Sequence, residues 1–267
     1  MVLTSLPLWL SGVLLVGLPI VLAMCGPALI RRRLSLEKLR ANNEVAGFKF
    51  ATVGVLYAVL LAFAVIVVWE KFEDAEGHVA DEAGAVATIY RLSAGIEGET
   101  QARLQAALST YLSTVIAEDW PAMERGEASQ ATTHALDAVY ATLLTFAPTD
   151  RRGAAILTET LHQLDLVTAA RRARLVDASG VVPGVLWFVL LGGAVITVGF
   201  TLFFATDNLR AQSMMTGALT ALIFSGLFII VAIDRPFTGA VKVTPEALSV
   251  ALHDFDHPPP SSAPGKQ

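Results

Sequence analysis

The sequence predicts an all-α, polytopic membrane protein with four transmembrane helices and an extramembrane helical bundle between the second and the third. Three observations support this fold class. Only 16% of the 267 residues are charged, whereas 54% are hydrophobic, and soluble domains carry roughly 25% charged residues. Four long segments are almost free of charge, and each is long enough to cross a bilayer. Between the second and third segments, apolar residues recur every three or four positions, which is the period of an α-helix.

The charge balance and the cysteine content limit the functional classes. The net charge of −5 does not favour nucleic-acid binding, and Cys25, the single cysteine, cannot form a disulfide within the chain. The sequence has no HExxH pattern, no glycine-rich phosphate loop of the P-loop type and no GxSxG motif. We therefore predict no catalytic residues, no metal and no cofactor, and we do not expect an enzyme.

The first predicted span is Leu6–Ile30, which is uncharged. We expect it to kink at Pro19 and Pro27, because proline removes a helix hydrogen bond. A cleaved signal peptide is the alternative, and it is disfavoured because no Lys or Arg precedes the span. The loop 31–49 follows and carries six Lys and Arg residues. Residues 1–69 are thus predicted to hold the first two spans and a basic loop.

The second span begins a longer helix, predicted over Asn42–Leu92. Its segment Phe50–Trp69 is uncharged and spans roughly 30 Å as a helix, enough to cross a bilayer. Beyond Trp69 the helix is predicted to be amphipathic, with Glu82 among the acidic residues of its polar side. In the membrane half, small residues recur at steps of three or four, which lets another helix approach closely. These are Gly47, Ala51, Gly54, Ala58 and Ala62.

The start of this helix carries the polar residues Asn42, Asn43 and Glu44. Asparagine is a favoured N-cap, because its side chain accepts a hydrogen bond from the first turn. The alternative is that these side chains form a ring that contacts ions.

Residues 70–180 are predicted to form the extramembrane helical domain, continuous with the second span. Two helices are predicted over Gln101–Trp120, ended by Pro121, and over Gln130–Phe146. A third is predicted to begin after Thr149 or Asp150, which can cap it, and to end near Ala178, before Gly180.

The third and fourth spans are predicted at Val181–Ala205 and Met214–Ile233, within the segment 181–235. The short turn between them requires an antiparallel hairpin. Gly217 and Ala221 repeat the small-residue spacing, which indicates tight helix packing.

A charged and proline-containing string, Asp234, Arg235, Pro236 and Phe237, follows the fourth span directly. Pro236 is expected to end the helix. The string is either a plain helix terminus at the membrane interface or a vestibule element. The segment 236–267 is predicted to end in a disordered tail rich in proline and serine.

The distribution of positive charge gives a weak indication of orientation. The loops at 31–49 and 206–213 share one side and hold seven Lys and Arg, against six near the opposite ends of the spans. The concentration beside the first span favours a cytoplasmic 31–49 loop. The helical domain is then predicted to lie outside the cytoplasm.

Three strings in order, NNEVAGF…GVLYAVLLAF…VVWEKFEDAE, then EA…IYRLS, then DRPFTGAVKVTPEAL, resemble the bacterial bestrophin-like membrane proteins. The resemblance covers about Asn42 to Leu248. It implies a pentameric ion channel whose second helix lines the pore and projects from the membrane. It also implies a cytoplasmic helical domain, opposite to the orientation that the basic loop favours. The acidic calcium clasp of animal bestrophins is absent from the sequence, so calcium gating is not implied.

The sequence therefore favours a multi-pass protein of the bacterial inner membrane that forms a homo-oligomeric ion channel. Its expected partners are membrane lipids, further copies of the chain and inorganic ions. The residues predicted to line an apolar pore constriction are Tyr57, Leu60 and Phe63 on the second helix. The alternative function is a non-conducting membrane scaffold whose helical domain binds a partner.

Overall fold

The computed structural model describes residues 7–41, 43–96, 98–180 and 182–257, and this part of the chain contains helices and no strand. The chain divides into two compact units. Unit 1 comprises Met1–Phe72 and Gly180–Lys242, and unit 2 comprises Glu73–Ser179 and Val243–Gln267. The long helix Asn43–Ser93 contributes its first part to unit 1 and its second part to unit 2. The predicted all-α class is confirmed.

The described residues contain eleven α-helices and two π-helical turns, joined by turns and loops. The π-helical turns lie at Val13–Gly17 and Val115–Asp119. The helices are α1 Leu8–Gly12, α2 Leu18–Arg31, α3 Leu36–Ala41, α4 Asn43–Ser93, α5 Glu99–Thr114, α6 Trp120–Glu124, α7 Gln130–Thr145, α8 Arg151–Asp177, α9 Gly184–Thr201, α10 Leu209–Ile233 and α11 Glu246–Asp256.

Four helical segments in the described residues are long and apolar enough to span a membrane: Leu8–Arg31, Asn43–Ser93, Gly184–Thr201 and Leu209–Ile233. They correspond to the four predicted spans. The fourth begins five residues before the expected Met214, because the side chain of Asn208 accepts a hydrogen bond from the backbone N–H of Ala211 and caps the helix earlier.

The first span contains its two prolines without breaking. A π-helical turn at Val13–Gly17 directly precedes α2, and Pro19 lies at the start of that helix, where its missing N–H costs least. Pro27 lies within α2, which continues to Arg31. The span is thus assembled from α1, the π turn and α2 rather than from one regular helix.

The core of unit 1 packs the membrane half of α4 against α9 and α10. Tyr57, Ala64 and Val68 of α4 are buried there, together with α9 and α10 residues Leu190, Ala194, Ile223, Leu227, Ile230 and Ile233. Glycines allow the helices of this unit to approach one another closely. A Cβ added at Gly226 of α10 would lie 2.9 Å from Cδ2 of Leu61 on α4, and one added at Gly26 of α2 would lie 2.6 Å from Cδ2 of Leu202, which follows α9.

Unit 2 has its own core, which includes the soluble half of α4. Val79, Val86 and Ile89 of α4 are almost fully buried, as are Leu104, Leu108, Tyr111, Leu112, Val139, Leu143, Leu164 and Val167. The apolar stripe predicted along this half of the helix accounts for the burial, since residues three and four apart lie on one face.

Two details of unit 2 differ from the sequence-based prediction. Pro121 does not end a helix: a π turn over Val115–Asp119 precedes it, and Pro121 lies at the start of α6, which continues to Glu124. The segment after Phe237 also contains a helix that was not predicted, α11, whose Phe255 ring stacks on Tyr90 at 3.8 Å between centroids. The disordered tail was predicted to begin at His253, which is wrong for residues 253–256, because they belong to α11. The part of the tail from Pro258 onward lies outside the described residues.

Candidate functional site

The membrane half of α4 has one face packed inside unit 1 and a wide face that the described residues of the chain leave exposed. Tyr57 belongs to the packed face: its side chain is buried, and its hydroxyl donates to the Leu190 carbonyl oxygen at 3.1 Å. A Cβ added at Gly193 would lie 2.5 Å from Tyr57 Cδ2, so the glycine makes room for the ring. The expectation that Tyr57 lines a pore is therefore corrected, because its ring fills the contact with α9.

The other two residues predicted to line a pore lie at the edge of this contact. Leu60 is half-buried, and Phe63 is 64% exposed. Both border a shallow apolar groove of about 150 Å³ between α4 and the start of α9, lined also by Ala64, Val67, Val182, Pro183 and Leu186. Of Tyr57, Leu60 and Phe63, Phe63 has the most exposed side chain and is therefore the most available to a neighbour outside the chain.

The small residues of α4 lie mostly outside the intramolecular contacts. Ala51, Ala58 and Ala62 are exposed, and a Cβ added at Gly54 would meet no heavy atom within 4 Å. The other glycine of the set, Gly47, does have a neighbour: an added Cβ would lie 3.7 Å from the Phe204 ring. This stripe of α4, which we call the open stripe (Ala51, Gly54, Ala58 and Ala62), is free to contact lipid or another copy of the chain.

The small residues of α10 contrast with the open stripe. Gly217 is buried, and a Cβ added there would lie 2.7 Å from Met24 Cγ of α2. Ala221 is half-buried, one turn further along α10. Gly217 thus packs two spans of the same chain together.

The polar start of α4 holds the connection between α9 and α10. The Asn43 amide forms two hydrogen bonds with the backbone of Ala205: Nδ2 donates to its carbonyl oxygen at 2.9 Å, and its N–H donates to Oδ1 at 3.1 Å. Asn43 therefore acts as a backbone clamp, whereas Glu44 is exposed. Asn42, the first residue of the string, lies outside the described residues.

The string after the fourth span lies against the segment that leads into the third. The backbone N–H of Val182 donates to Asp234 Oδ1 at 2.8 Å. A Cβ added at Gly180 would lie 3.1 Å from Asp234 Oδ2 and 3.4 Å from Arg235 Nε, so the chain passes close to both side chains. Pro236 and Phe237 are buried, and α10 ends before them at Ile233.

Unit 2 contains a fully buried group of four charged residues, the buried charge cluster: Glu82 of α4, Asp119 of the second π turn, and Arg171 and Arg174 of α8. Arg174 Nε donates to Glu82 Oε2 at 2.7 Å, and its Nη2 donates to Asp119 Oδ2 at 3.2 Å. Arg171 Nε donates to the same Asp119 oxygen at 3.0 Å. Two positive and two negative charges therefore balance inside the unit.

Uncharged groups complete the coordination of the buried charge cluster. The Tyr111 hydroxyl donates to Glu82 Oε1 at 2.6 Å, and the Ser129 backbone N–H donates to Asp119 Oδ1 at 2.9 Å. The Arg174 guanidinium also lies 5.0 Å from the ring centroid of Trp120, within the range of a cation–π interaction. Such complete pairing is what makes a buried charge tolerable.

The surroundings shift the pKa values within this cluster. Burial alone would raise the pKa of Asp119, but the hydrogen bond from Arg171 and the positive charge of Arg174 outweigh it and lower the pKa. Burial raises the pKa of Tyr111, and the neighbouring Glu82 carboxylate raises it further. Burial would lower the pKa of Arg174, but Glu82, together with Tyr111 and Asp119, outweighs burial and raises it. The charged forms of Asp119 and Arg174 are therefore the stable ones near neutral pH.

The geometry of the cluster favours a structural role over a chemical one. Its four charged side chains are between 0% and 9% exposed, so a substrate cannot reach them. In the described part of the chain, no group of three or more His, Cys, Asp or Glu residues could hold a metal ion. The cluster joins α4, α8 and the α5–α6 segment across large sequence separations.

The sequence analysis missed this cluster and placed Glu82 on the water-facing side of α4, which is wrong: its side chain is 0% exposed. A signal was present. Glu82 lies three residues after the buried Val79, and Arg171 and Arg174 lie four and seven residues after the buried Val167. Charges of opposite sign in phase with apolar stripes indicate a buried ion pair, because a lone buried charge is too costly.

Comparisons with known proteins agree with this architecture. A family model described as Bestrophin-like domain matches residues 17–248, which confirms the resemblance drawn from the three sequence strings. A crystal structure of a point variant of a bacterial bestrophin homologue from Klebsiella pneumoniae is similar, with 13% identity and a TM-score of 0.70 over 91% of this chain and 99% of that chain.

A structure of a bacterial bestrophin homologue from the same organism, solved by Zn-SAD phasing, is also similar: it shows 14% identity and a TM-score of 0.68 over 89% of this chain and 96% of that chain. At these identities the likeness establishes the fold alone. No curated protein matches the chain.

Proposed function

We propose that this chain, which belongs to the bestrophin-like domain family, is one subunit of a homo-oligomeric ion channel in the bacterial inner membrane, with the membrane half of α4 at its axis. The bestrophin fold and the family resemblance favour a pentamer, and the transported species are inorganic ions.

One observation carries the proposal: the membrane half of α4 exposes an uncharged face that includes the open stripe. Between Phe50 and Trp69 the helix holds no charge, and exposed side chains such as Val55, Val59 and Ile66 follow the same side. Small residues in a membrane helix favour close helix association. Copies of α4 packed through the open stripe would surround an axis lined by apolar side chains.

The geometry reduces the number of residues that could form the pore constriction. Tyr57 packs against α9, so Phe63 is the principal candidate for the constriction, and Leu60, at the edge of the groove, is the second. A ring of such apolar side chains would gate by dewetting, because a narrow apolar passage excludes water until it widens.

The test combines subunit mass with ion flux for the full chain. We expect the purified protein in mild detergent to be an oligomer and to conduct ions in liposomes. Gly54→Leu should dissociate it and abolish flux, because the added side chain enters the open stripe at a position where a Cβ meets no heavy atom within 4 Å in its own subunit. Phe63→Ala should raise flux, because it widens the constriction.

Gly192→Leu is the matched control, since it makes the same change on α9 at a glycine where an added Cβ also meets no heavy atom within 4 Å. A stable oligomer without flux above that of empty liposomes, for the wild type and Phe63→Ala alike, contradicts the channel and favours the non-conducting scaffold. A monomer, or an oligomer that Gly54→Leu leaves intact, contradicts the proposed packing through the open stripe.

A further inference from the structure

The loops at one end of the four apolar segments are tied together within unit 1 and bring scattered cations to one surface. The Arg31 guanidinium donates to the Gln212 side-chain oxygen at 2.6 Å and to the Thr206 carbonyl oxygen, and Arg40 pairs with Asp207. Together with the Asn43 clamp, these contacts join the end of α2, the α3 segment and the start of α4 to the α9–α10 connection.

Four further cations in these segments point to an external partner: Arg32, Arg33, Lys49 and Arg210, which we call the basic platform. Each is exposed, and within the described residues none of them has an ion pair or a side-chain hydrogen bond. The segments 31–49 and 206–213 hold seven Lys and Arg against three Asp and Glu. One of those acids, Asp207, is already paired with Arg40.

The charge is specific to this part of the molecule. By sequence, unit 1 carries ten Lys and Arg against five Asp and Glu, whereas unit 2 carries nine against nineteen. A cationic surface on a chain whose net charge is −5 indicates local recognition of an anionic surface rather than general attraction to polyanions.

Exposed apolar side chains flank the basic platform. Leu29 lies two residues before Arg31 and is 58% exposed, Phe48 adjoins Lys49 and is 80% exposed, and Phe203 in the α9–α10 connection is 53% exposed. A free anion such as phosphate gains nothing from these apolar neighbours. A phospholipid does, because its acyl chains cover apolar side chains while its headgroup meets the cations.

We propose that the basic platform binds the headgroup of an anionic phospholipid, with the acyl chains against the flanking apolar residues. Arg31 and Arg40 hold the loops in place, and Arg32, Arg33, Lys49 and Arg210 supply the positive charge. This inference does not depend on whether the protein conducts ions.

The test measures lipid adducts on the intact detergent-solubilised protein by native mass spectrometry. The probes are dioleoyl phosphatidylglycerol, dioleoyl phosphatidylcholine and glycerol phosphate, each titrated separately. The test variant carries Arg32→Gln, Arg33→Gln and Arg210→Gln, three arginines that form no ion pair or side-chain hydrogen bond within the described residues. The control variant makes the same change in charge at exposed arginines of unit 2: Arg91→Gln, Arg151→Gln and Arg172→Gln.

We expect phosphatidylglycerol to bind more tightly than phosphatidylcholine. The test variant should lose about 100-fold in affinity for it, because each basic residue near an anionic lipid surface contributes about 1 kcal/mol and 1.4 kcal/mol is tenfold. The control variant should bind like the wild type. If the test variant does not fold, raising the ionic strength with the wild-type protein should weaken phosphatidylglycerol binding alone.

Three results would overturn the proposal. Equal binding of the two lipids would mean that apolar contact alone retains them. Equal affinity of the test and control variants would place the lipid elsewhere. Glycerol phosphate that binds as tightly as the intact lipid would identify a free-phosphate site instead.

Discussion

Replacing Arg174 with methionine should strongly destabilise unit 2. The guanidinium is 0% exposed and donates to Glu82 Oε2 at 2.7 Å, to Glu82 Oε1 at 3.2 Å and to Asp119 Oδ2 at 3.2 Å. Methionine approximates the volume of the side chain but leaves the Glu82 carboxylate buried without a cation. Removing one partner of a buried ion pair costs about 3–5 kcal/mol. Because solvent does not reach the group, screening does not reduce this figure.

The assay is thermal unfolding of the full chain in mild detergent, followed by circular dichroism. For a chain of this size, about 1 kcal/mol shifts Tm by about 3 °C, so Arg174→Met should lower the apparent Tm by about 10 °C. The matched control is Arg172→Met, which removes the same charge two residues earlier, where the side chain is exposed. The control should lie within about 0.5 kcal/mol of the wild type, as surface substitutions usually do.

A second variant separates the lost charge from lost packing. Glu82→Leu combined with Arg174→Met removes both members of the closest pair and leaves Asp119 with Arg171. It should be less destabilised than Arg174→Met alone, because apolar replacement of a whole ion pair is often neutral. An Arg174→Met protein that unfolds at the same temperature as Arg172→Met would refute the argument from burial. A double variant less stable than the single one would refute the argument from unpaired charge.

Three further predictions concern a glycine contact, the buried charge cluster and the orientation of the chain in the membrane. Gly193→Ala should destabilise unit 1 by about 1–3 kcal/mol through overpacking, since its Cβ would lie 2.5 Å from Tyr57 Cδ2; Gly192→Ala, in open space, should be neutral in the same thermal assay, and equal effects would contradict the clash. The lowered pKa of Asp119 predicts a contribution to stability that is complete above its ordinary value of 3.8 and is lost as pH falls through the still lower folded value. In Asp119→Asn, the curve of apparent Tm against pH should therefore lack the fall at acidic pH that Asp119 causes in the wild type. The same curve for variant and wild type below about pH 4 would contradict this. A reporter fused after Ala178 should be active only outside the cytoplasm, because the basic loop favours the cytoplasmic side; cytoplasmic activity would reverse the orientation and support the bestrophin arrangement.

The spans and the long helix could be predicted because their signals are local. An uncharged run of about 20 residues marks a membrane segment wherever the rest of the chain lies. The predicted end of the second helix, Leu92, differs by one residue from the end of α4 at Ser93, whereas its predicted start, Asn42, lies outside the described residues. Thr149 or Asp150 was expected to cap the following helix, and the structure selects Asp150, whose side chain accepts a hydrogen bond from the Gly153 N–H at 2.7 Å. Each of these features depends on neighbours within a few residues.

The buried charge cluster and the position of Tyr57 could not be found in the same way. Glu82 and Arg174 are 92 residues apart, and Tyr57 and Leu190 are 133 apart. Helical periodicity assigns a residue to a face but does not identify what that face contacts. Tyr57 was placed on a pore because it lies in an apolar span, whereas its environment depends on Gly193 of another helix.

The glycines of unit 1 distinguish the packed surface of α4 from its open surface. Gly26, Gly193 and Gly226 each receive a side chain from a neighbouring helix, and a Cβ at any of them would come within 2.9 Å of that side chain. Gly54 receives none, although it lies in a stripe of equally small residues. Lipid chains are fluid and do not require a small residue, whereas a rigid neighbouring helix does. Gly26, Gly193 and Gly226 show that a small residue in this unit can admit a neighbouring side chain, and the open stripe offers comparable room on the surface of α4, where the proposed channel would place a second copy of the chain.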